Sequence, residues 1–69
     1  MEFLTLSDVQ KRIEEIRGKA SDDEVAHAME DQLHQDVLRA IAEDKCTAPR
    51  SCANAALKTL DIDFCRWCA

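Results

Sequence analysis

The chain has 69 residues, of which nine are basic and fourteen acidic, and its formal net charge is −5. This length allows a single domain, close to the lower limit at which one apolar core can hold a chain folded. No window approaches the roughly 20 apolar residues of a transmembrane helix, and no secretory signal pattern is visible. We therefore expect a protein of the cytoplasm with no membrane partner.

The negative charge is concentrated in the middle of the chain. Residues 21–44 contain eight acidic residues and one basic residue, Arg39, which gives a charge of −7. Such a field repels phosphate backbones, so direct nucleic-acid binding is not expected. It favours a basic protein surface as a partner, although charge runs commonly do no more than keep a small protein in solution.

The first predicted helix covers about residues 6–17. Thr5 and Asp8 have the spacing of a capping box at its start. Gly18 fits the position just past the helix end, where a left-handed backbone is needed. Four apolar residues at helical spacing mark the face expected in the core: Val9, Ile13, Ile16 and Ala20.

The second predicted helix covers residues 22–44, with Ser21 as its cap and Glu24 as the capping-box partner. Neither glycine nor proline interrupts it, so it should be some 30 to 35 Å long and serve as the spine of the fold. Its expected core face is a continuous apolar arc of Val25, Ala26, Met29, Leu33, Val37, Ala40 and Ile41.

The third predicted helix covers residues 49–62, because Pro49 suits a first helical turn. Its expected core face consists of Ala53, Ala56, Leu57 and Leu60. Phe64 and Trp67 should dock a final turn onto the core. The sequence thus predicts an all-α fold, in which residues 1–69 form one three-helix domain with a long central helix and a C-terminal turn.

Four cysteines, Cys46, Cys52, Cys65 and Cys68, lie in the last third of the chain. A continuous helix between Cys52 and Cys65 would hold the two pairs roughly 20 Å apart. Thiolates that share one zinc ion must lie within about 4 Å of one another. We therefore expect free thiols, as is usual in the cytoplasm, and no four-thiolate zinc site.

A different metal site remains as an alternative. If the third helix folds back antiparallel on the second, Cys68 approaches His27 and Cys65 approaches Glu30. Cys65, Cys68 and His27 could then hold zinc, with His34, Glu30 or water as the fourth ligand. The expectation is no cofactor, with zinc as the alternative. A redox role for the Cys-x2-Cys ending lacks the preceding strand that such motifs use.

The sequence contains no diagnostic catalytic motif, neither a glycine-rich loop nor Gly-x-Ser-x-Gly nor His-Glu-x-x-His. We therefore expect a non-enzymatic protein, monomeric or homodimeric, that binds another protein through its acidic central helix. The predicted partner-binding residues are Glu30, Asp31, His34, Asp36 and Leu38. An acidic DNA mimic that inhibits a nucleic-acid-binding protein is a further alternative.

Four segments of the chain carry a resemblance to a known group of proteins. They are Leu-Thr-Leu-Ser-Asp-Val at 4–9, Ser-Asp-Asp-Glu-Val-Ala-His at 21–27, Asp-Val-Leu-Arg-Ala-Ile-Ala at 36–42, and the ending from Leu60 to Trp67. In this order they resemble small helical proteins encoded by phages of actinobacteria. The resemblance implies expression in a bacterial host cytoplasm and a host protein as partner, and it brings no catalytic residue.

Overall fold

The computed structural model describes residues 3–66, which form three α-helices and one 3-10 segment. Helix α1 spans Leu6–Gly18 and begins with the predicted capping box. The Asp8 amide donates to Thr5 Oγ1 at 3.1 Å, and the Thr5 amide donates to Asp8 Oδ2 at 3.0 Å. The left-handed backbone predicted for Gly18 is wrong, because Gly18 is the last helical residue and its φ is not positive.

Helix α2 spans Asp23–Ala42 and starts and ends differently from the prediction. Its cap is Asp22 rather than Ser21, and the Asp22 carboxylate accepts from the Val25 amide at 3.3 Å. Two residues past the helix end, Asp44 has φ 56°. The Lys45 amide then donates to the Ala40 carbonyl at 2.7 Å, as in a Schellman motif. Helix α2 therefore stops two residues before the predicted end.

Helix α3 spans Pro49–Leu57 and tightens into a 3-10 segment, Lys58–Asp61, so the single helix predicted to residue 62 is divided into two parts. Its cap, Ala48, makes no side-chain hydrogen bond to the first turn. The chain becomes extended at Ile62 and continues alongside α2 toward the N-terminal end of that helix. We name residues 62–66 the C-terminal strap.

The core is built from small and medium-sized side chains of every element. The buried apolar residues are Val9, Ile13, Ile16, Ala26, Leu33, Val37, Cys52, Ala55, Ala56, Ile62 and Phe64. The predicted faces of α1 and α2 are largely confirmed, with Val25 as an exposed exception. On the predicted face of α3, Ala56 is buried and Ala53 is partly buried, but the prediction is wrong for the two leucines. Leu57 and Leu60 are more than half exposed, whereas Cys52, Ala55 and Thr59 are buried.

Helices α2 and α3 run antiparallel, as the contacts across them show. His34 meets Thr59, Glu30 meets Arg66, and the Cys65 amide donates to Asp23 Oδ1 at 2.9 Å. At the other end, Leu4 pairs with Cys46 in an isolated parallel bridge. The all-α three-helix architecture is thus confirmed. No helix within residues 3–66 has the length and apolar character needed to cross a bilayer.

Candidate protein-interaction site

An apolar groove lies between α2 and α3, and we name it the α2–α3 groove. Its volume is about 310 Å³, and it is lined by His34, Val37, Leu38, Ala53, Ala56 and Leu57. The alanines of α3 leave the gap because they fill little of the space between the helices. Leu38 is 67% exposed and Leu57 is 59% exposed, so two leucines form the walls and present apolar surface to solvent.

The apolar surface continues past the groove along the 3-10 segment. Leu60 is 55% exposed and lies three residues after Leu57. Residues three apart lie on the same side of a 3-10 turn, so Leu60 extends the wall formed by Leu57. Exposed apolar residues scattered singly are ordinary on protein surfaces, but a contiguous patch indicates an interaction site.

A polar network closes the floor of the groove. His34 Nε2 lies 2.9 Å from Thr59 Oγ1 and 3.1 Å from the Ala56 carbonyl oxygen, and Thr59 Oγ1 donates to the same carbonyl at 2.9 Å. When His34 donates from Nε2 to Thr59 Oγ1, the Thr59 hydroxyl donates its own proton to the Ala56 carbonyl oxygen. This network fixes the spacing of α2 and α3, so the groove is held open by the fold itself.

Next to this floor, Glu30 forms a buried ion pair with Arg66 of the C-terminal strap. Glu30 is 3% exposed, and its two carboxylate oxygens accept from Arg66 Nε and Nη2, each at 2.9 Å. Burial by itself would raise the pKa of Glu30. The hydrogen bonds from Arg66, together with its positive charge, outweigh burial and hold the pKa of Glu30 below its ordinary value.

The sequence-based placement of Glu30 on an exposed binding face is therefore wrong. Its carboxylate is occupied by Arg66, which also makes Glu30 a poor fourth ligand for a metal. The signal was present in the sequence, since Glu30 is four residues after Ala26 and three before Leu33. Both of these residues are buried in the core, and a residue at this spacing lies on the same helix face.

Asp36 lies on the α1 side of α2 and not beside the groove. Arg12 Nη1 donates to Asp36 Oδ2 at 2.9 Å, and Gln32 Nε2 donates to Asp36 Oδ1 at 2.9 Å. Burial would raise the pKa of Asp36, but hydrogen bonds from Gln32 and Arg12 outweigh it and lower the pKa. Asp36 therefore pairs α2 with α1 within the fold, and its role in binding a partner stays a prediction.

Asp31 lies exposed on α2. Its side chain is 60% exposed, and its Oδ2 lies 3.5 Å from His27 Nε2. Asp61, the last residue of the 3-10 segment, and Asp63 of the C-terminal strap are also exposed. Of the five predicted partner-binding residues, the structure places His34 and Leu38 in the lining of the groove and leaves Asp31 exposed on α2.

A larger depression, of about 390 Å³, lies between the N-terminal segment and α2. Its walls include Asp8, Asp36, Arg39, Glu43 and Lys45. Three acids and two bases from this set face one another, and Asp36 is already paired with Arg12. We therefore place the candidate site in the α2–α3 groove, whose exposed side chains, Leu38 and Leu57, are apolar.

The predicted zinc ligands are only partly described by the structure. Cys68 and Trp67 lie outside the described residues. Within residues 3–66, no group of three histidine, cysteine or carboxylate side chains is placed to hold a metal ion. Cys65 of the C-terminal strap lies beside the start of α2, whereas Cys46 follows the end of that helix. Helix α2 is about 30 Å long. The described thiols thus do not converge on one point.

Comparisons with protein-family models, with curated proteins and with solved structures gave no significant match to this chain.

Proposed function

We propose that this chain is a non-enzymatic interaction protein whose α2–α3 groove receives an amphipathic helix from a partner with basic flanking residues. The observation that carries the proposal is the groove itself, an apolar channel with two exposed leucine walls. Helix-in-groove recognition uses apolar anchors spaced by three or four residues on one face of the bound helix.

The apolar part of the groove accounts for affinity. Leu38, Leu57 and Leu60 are each more than half exposed in the free protein. Fully burying a leucine side chain contributes about 1.5 to 3 kcal/mol. A partner that covers the two wall leucines therefore gains up to about 3 to 6 kcal/mol, and its further contacts along the groove have to meet the rest of the cost of association.

The charges account for the choice of partner. Asp31, Asp61 and Asp63 are exposed, and the whole chain carries a net charge of −5. An acidic surface speeds the approach of a basic partner and repels acidic ones. The two strongest carboxylate pairs of α2, at Glu30 and Asp36, are formed within the fold, so they do not contribute to recognition.

The resemblance to proteins of actinobacterial phages makes a host protein the expected partner, in the cytoplasm of an infected bacterium. Binding to a host factor through one surface requires neither a catalytic residue nor a cofactor. A second copy of the chain is the competing occupant of the groove, and sedimentation of the purified protein measures that possibility directly.

The proposal is tested by capture from an actinobacterial lysate followed by binding measurements on the purified captured protein. The groove variant Leu38→Ser/Leu57→Ser should bind roughly a hundredfold more weakly, because two leucine burials are lost. Val25→Ser is the matched control, since Val25 is 40% exposed and lies outside the groove lining. Asp31→Lys/Asp61→Lys should slow association, with Glu14→Lys on α1 as its control.

Three results would count against the proposal. One is a captured partner that binds the groove variant as tightly as the original chain. Another is sedimentation as a dimer that Leu38→Ser/Leu57→Ser dissociates, which would make a second copy the occupant. The third is a captured partner that binds DNA and from which this protein displaces the DNA. If the groove variant displaces the DNA equally well, the result would favour the DNA mimic.

A further inference from the structure

His34 is the one ionisable side chain among the described residues that line the α2–α3 groove. The others are valine, leucine and alanine. A histidine side chain changes its charge between about pH 5 and pH 8. The same groove can therefore present a neutral lining at one end of this range and a positive charge at the other.

The hydrogen bonds of His34 decide which ring nitrogen gains the proton. Nε2 lies 3.1 Å from the Ala56 carbonyl oxygen and 2.9 Å from Thr59 Oγ1. A carbonyl oxygen can only accept, so we assign the hydrogen of the neutral ring to Nε2 and the added proton to Nδ1. Nε2 is then a donor in both charge states, and its contacts survive protonation. The ring therefore stays at the floor of the groove when it becomes charged.

The groups that face His34 do little to balance a positive charge there. Glu30 lies one turn earlier on α2, close enough to attract a charged imidazole. Both Glu30 oxygens already accept from Arg66 of the C-terminal strap, each at 2.9 Å. The contacts of His34 with α3 and the 3-10 segment are to the Ala56 carbonyl and the Thr59 hydroxyl, which do not titrate. A protonated His34 therefore depends largely on water to stabilise its charge.

We propose that protonation of His34 weakens the docking of a partner helix in the α2–α3 groove, a regulation that rests on the proposed function. A docked apolar helix removes water from the floor of the groove. Loss of water disfavours a charged side chain much more than a neutral one, and basic flanking residues of the partner add repulsion. The partner thus binds the neutral form of His34 more tightly, and by linkage its binding releases the proton.

Titration calorimetry with a synthetic amphipathic peptide tests the proposal. The peptide carries leucines on one helical face and lysines on the other, and its ends are acetylated and amidated so that it does not titrate in this range. We expect its affinity to fall roughly tenfold from pH 8 to pH 5.5, because one proton is linked to binding. At pH 6.5 binding should release a fraction of a proton, measured from the change of binding heat with the ionisation enthalpy of the buffer.

Two variants assign the released proton to a residue. His34→Gln keeps a side-chain N–H donor for Ala56 and Thr59 but cannot ionise, so its affinity should be constant with pH and it should release no proton. His27→Gln is the matched control. His27 also lies on α2 but is outside the groove lining, so this variant should keep both the pH dependence and the proton release.

The outcomes separate this inference from the proposed function. Equal affinity at pH 8 and pH 5.5, or proton release that persists in His34→Gln, would overturn the role of His34 and leave the groove as a docking site. Absence of peptide binding at every pH would overturn the docking function and this inference with it. If His34→Gln does not fold, the unsubstituted chain still decides, because absence of proton release refutes the proposal. Loss of helical circular dichroism by pH 5.5 would also refute it, since weaker binding would then come from unfolding.

Discussion

Replacement of Arg66 by alanine tests the contribution of the Glu30–Arg66 ion pair to stability. Arg66 donates to both carboxylate oxygens of Glu30 and to the Thr59 carbonyl, all at 2.9 Å. Its guanidinium also stacks on the Phe64 ring, 4.0 Å from the ring centroid. The Arg66→Ala variant leaves the Glu30 carboxylate buried without its cation. Removing one partner of a buried pair costs about 3 to 5 kcal/mol.

We place the expected loss near 3 kcal/mol, the lower end of that range, because the Arg66 side chain is 30% exposed. A chain of this length has a total stability of roughly 3 to 10 kcal/mol, so the loss is a large part of it. Urea unfolding followed by circular dichroism measures the change. Arg50→Ala is the matched control, since Arg50 is an exposed arginine on α3 and should change stability little.

The pH dependence identifies the ion pair as the cause. The folded-state pKa of Glu30 lies below its ordinary value, so the stability from this pair is present at neutral pH and is lost as the pH falls through the folded-state pKa. In Arg66→Ala the buried carboxylate is instead easier to protonate. The stability difference between the two proteins should therefore shrink from pH 7 toward pH 4.

The Glu30→Met/Arg66→Met variant keeps the test informative if Arg66→Ala does not fold. Replacing both members of a buried ion pair with apolar side chains is often neutral or stabilising, so the double variant should fold. An Arg66→Ala protein that loses less than about 1 kcal/mol, or whose loss is the same at pH 4 and pH 7, would refute this reasoning.

Three further stability changes follow from the helix ends and faces, each measured by urea unfolding. Thr5→Ala removes the capping box of α1 and should cost about 1 kcal/mol. Asp44→Gly relieves a left-handed backbone at φ 56° and should stabilise the fold by up to about 1 kcal/mol; a loss would show that the Asp44 side chain contributes more than its backbone costs. Leu33 is buried, so Leu33→Ala should cost about 2 to 5 kcal/mol. Leu57 is exposed, so Leu57→Ser should change stability by less than about 0.5 kcal/mol. Equal losses in the two variants would contradict the orientation of α3.

Local signals in the sequence predicted the helices well because caps and periodicity act over a few residues. The capping box of Thr5 and Asp8 and the start of α3 at Pro49 are as expected. The end of α2 was missed because its Schellman turn uses Asp44, and the usual signal for that turn is glycine.

The face of α3 could not be found from hydrophobicity because its largest apolar residues point outward. Leu57 and Leu60 dominate the pattern, yet the core contains Cys52, Ala55 and Thr59. Thr59 is tolerated there because His34 and Ala56 satisfy its hydroxyl, and its carbonyl accepts from Arg66. His34 lies 25 residues away from Thr59 in the sequence, so no local pattern predicts this contact. The groove between α2 and α3 was unforeseen for the same reason.

The docking role of the α2–α3 groove is tested most directly by nuclear magnetic resonance, using a synthetic amphipathic peptide with leucines on one helical face and lysines on the other. We expect this peptide to shift the amide signals of Leu38, Ala53 and Leu57 and to bind Leu38→Ser/Leu57→Ser roughly a hundredfold more weakly. A peptide with glutamates in place of the lysines should bind more weakly, and added salt should strengthen its binding, whereas it weakens that of the lysine peptide. Absence of binding, or shifts confined to surfaces away from the groove, would contradict the proposed function.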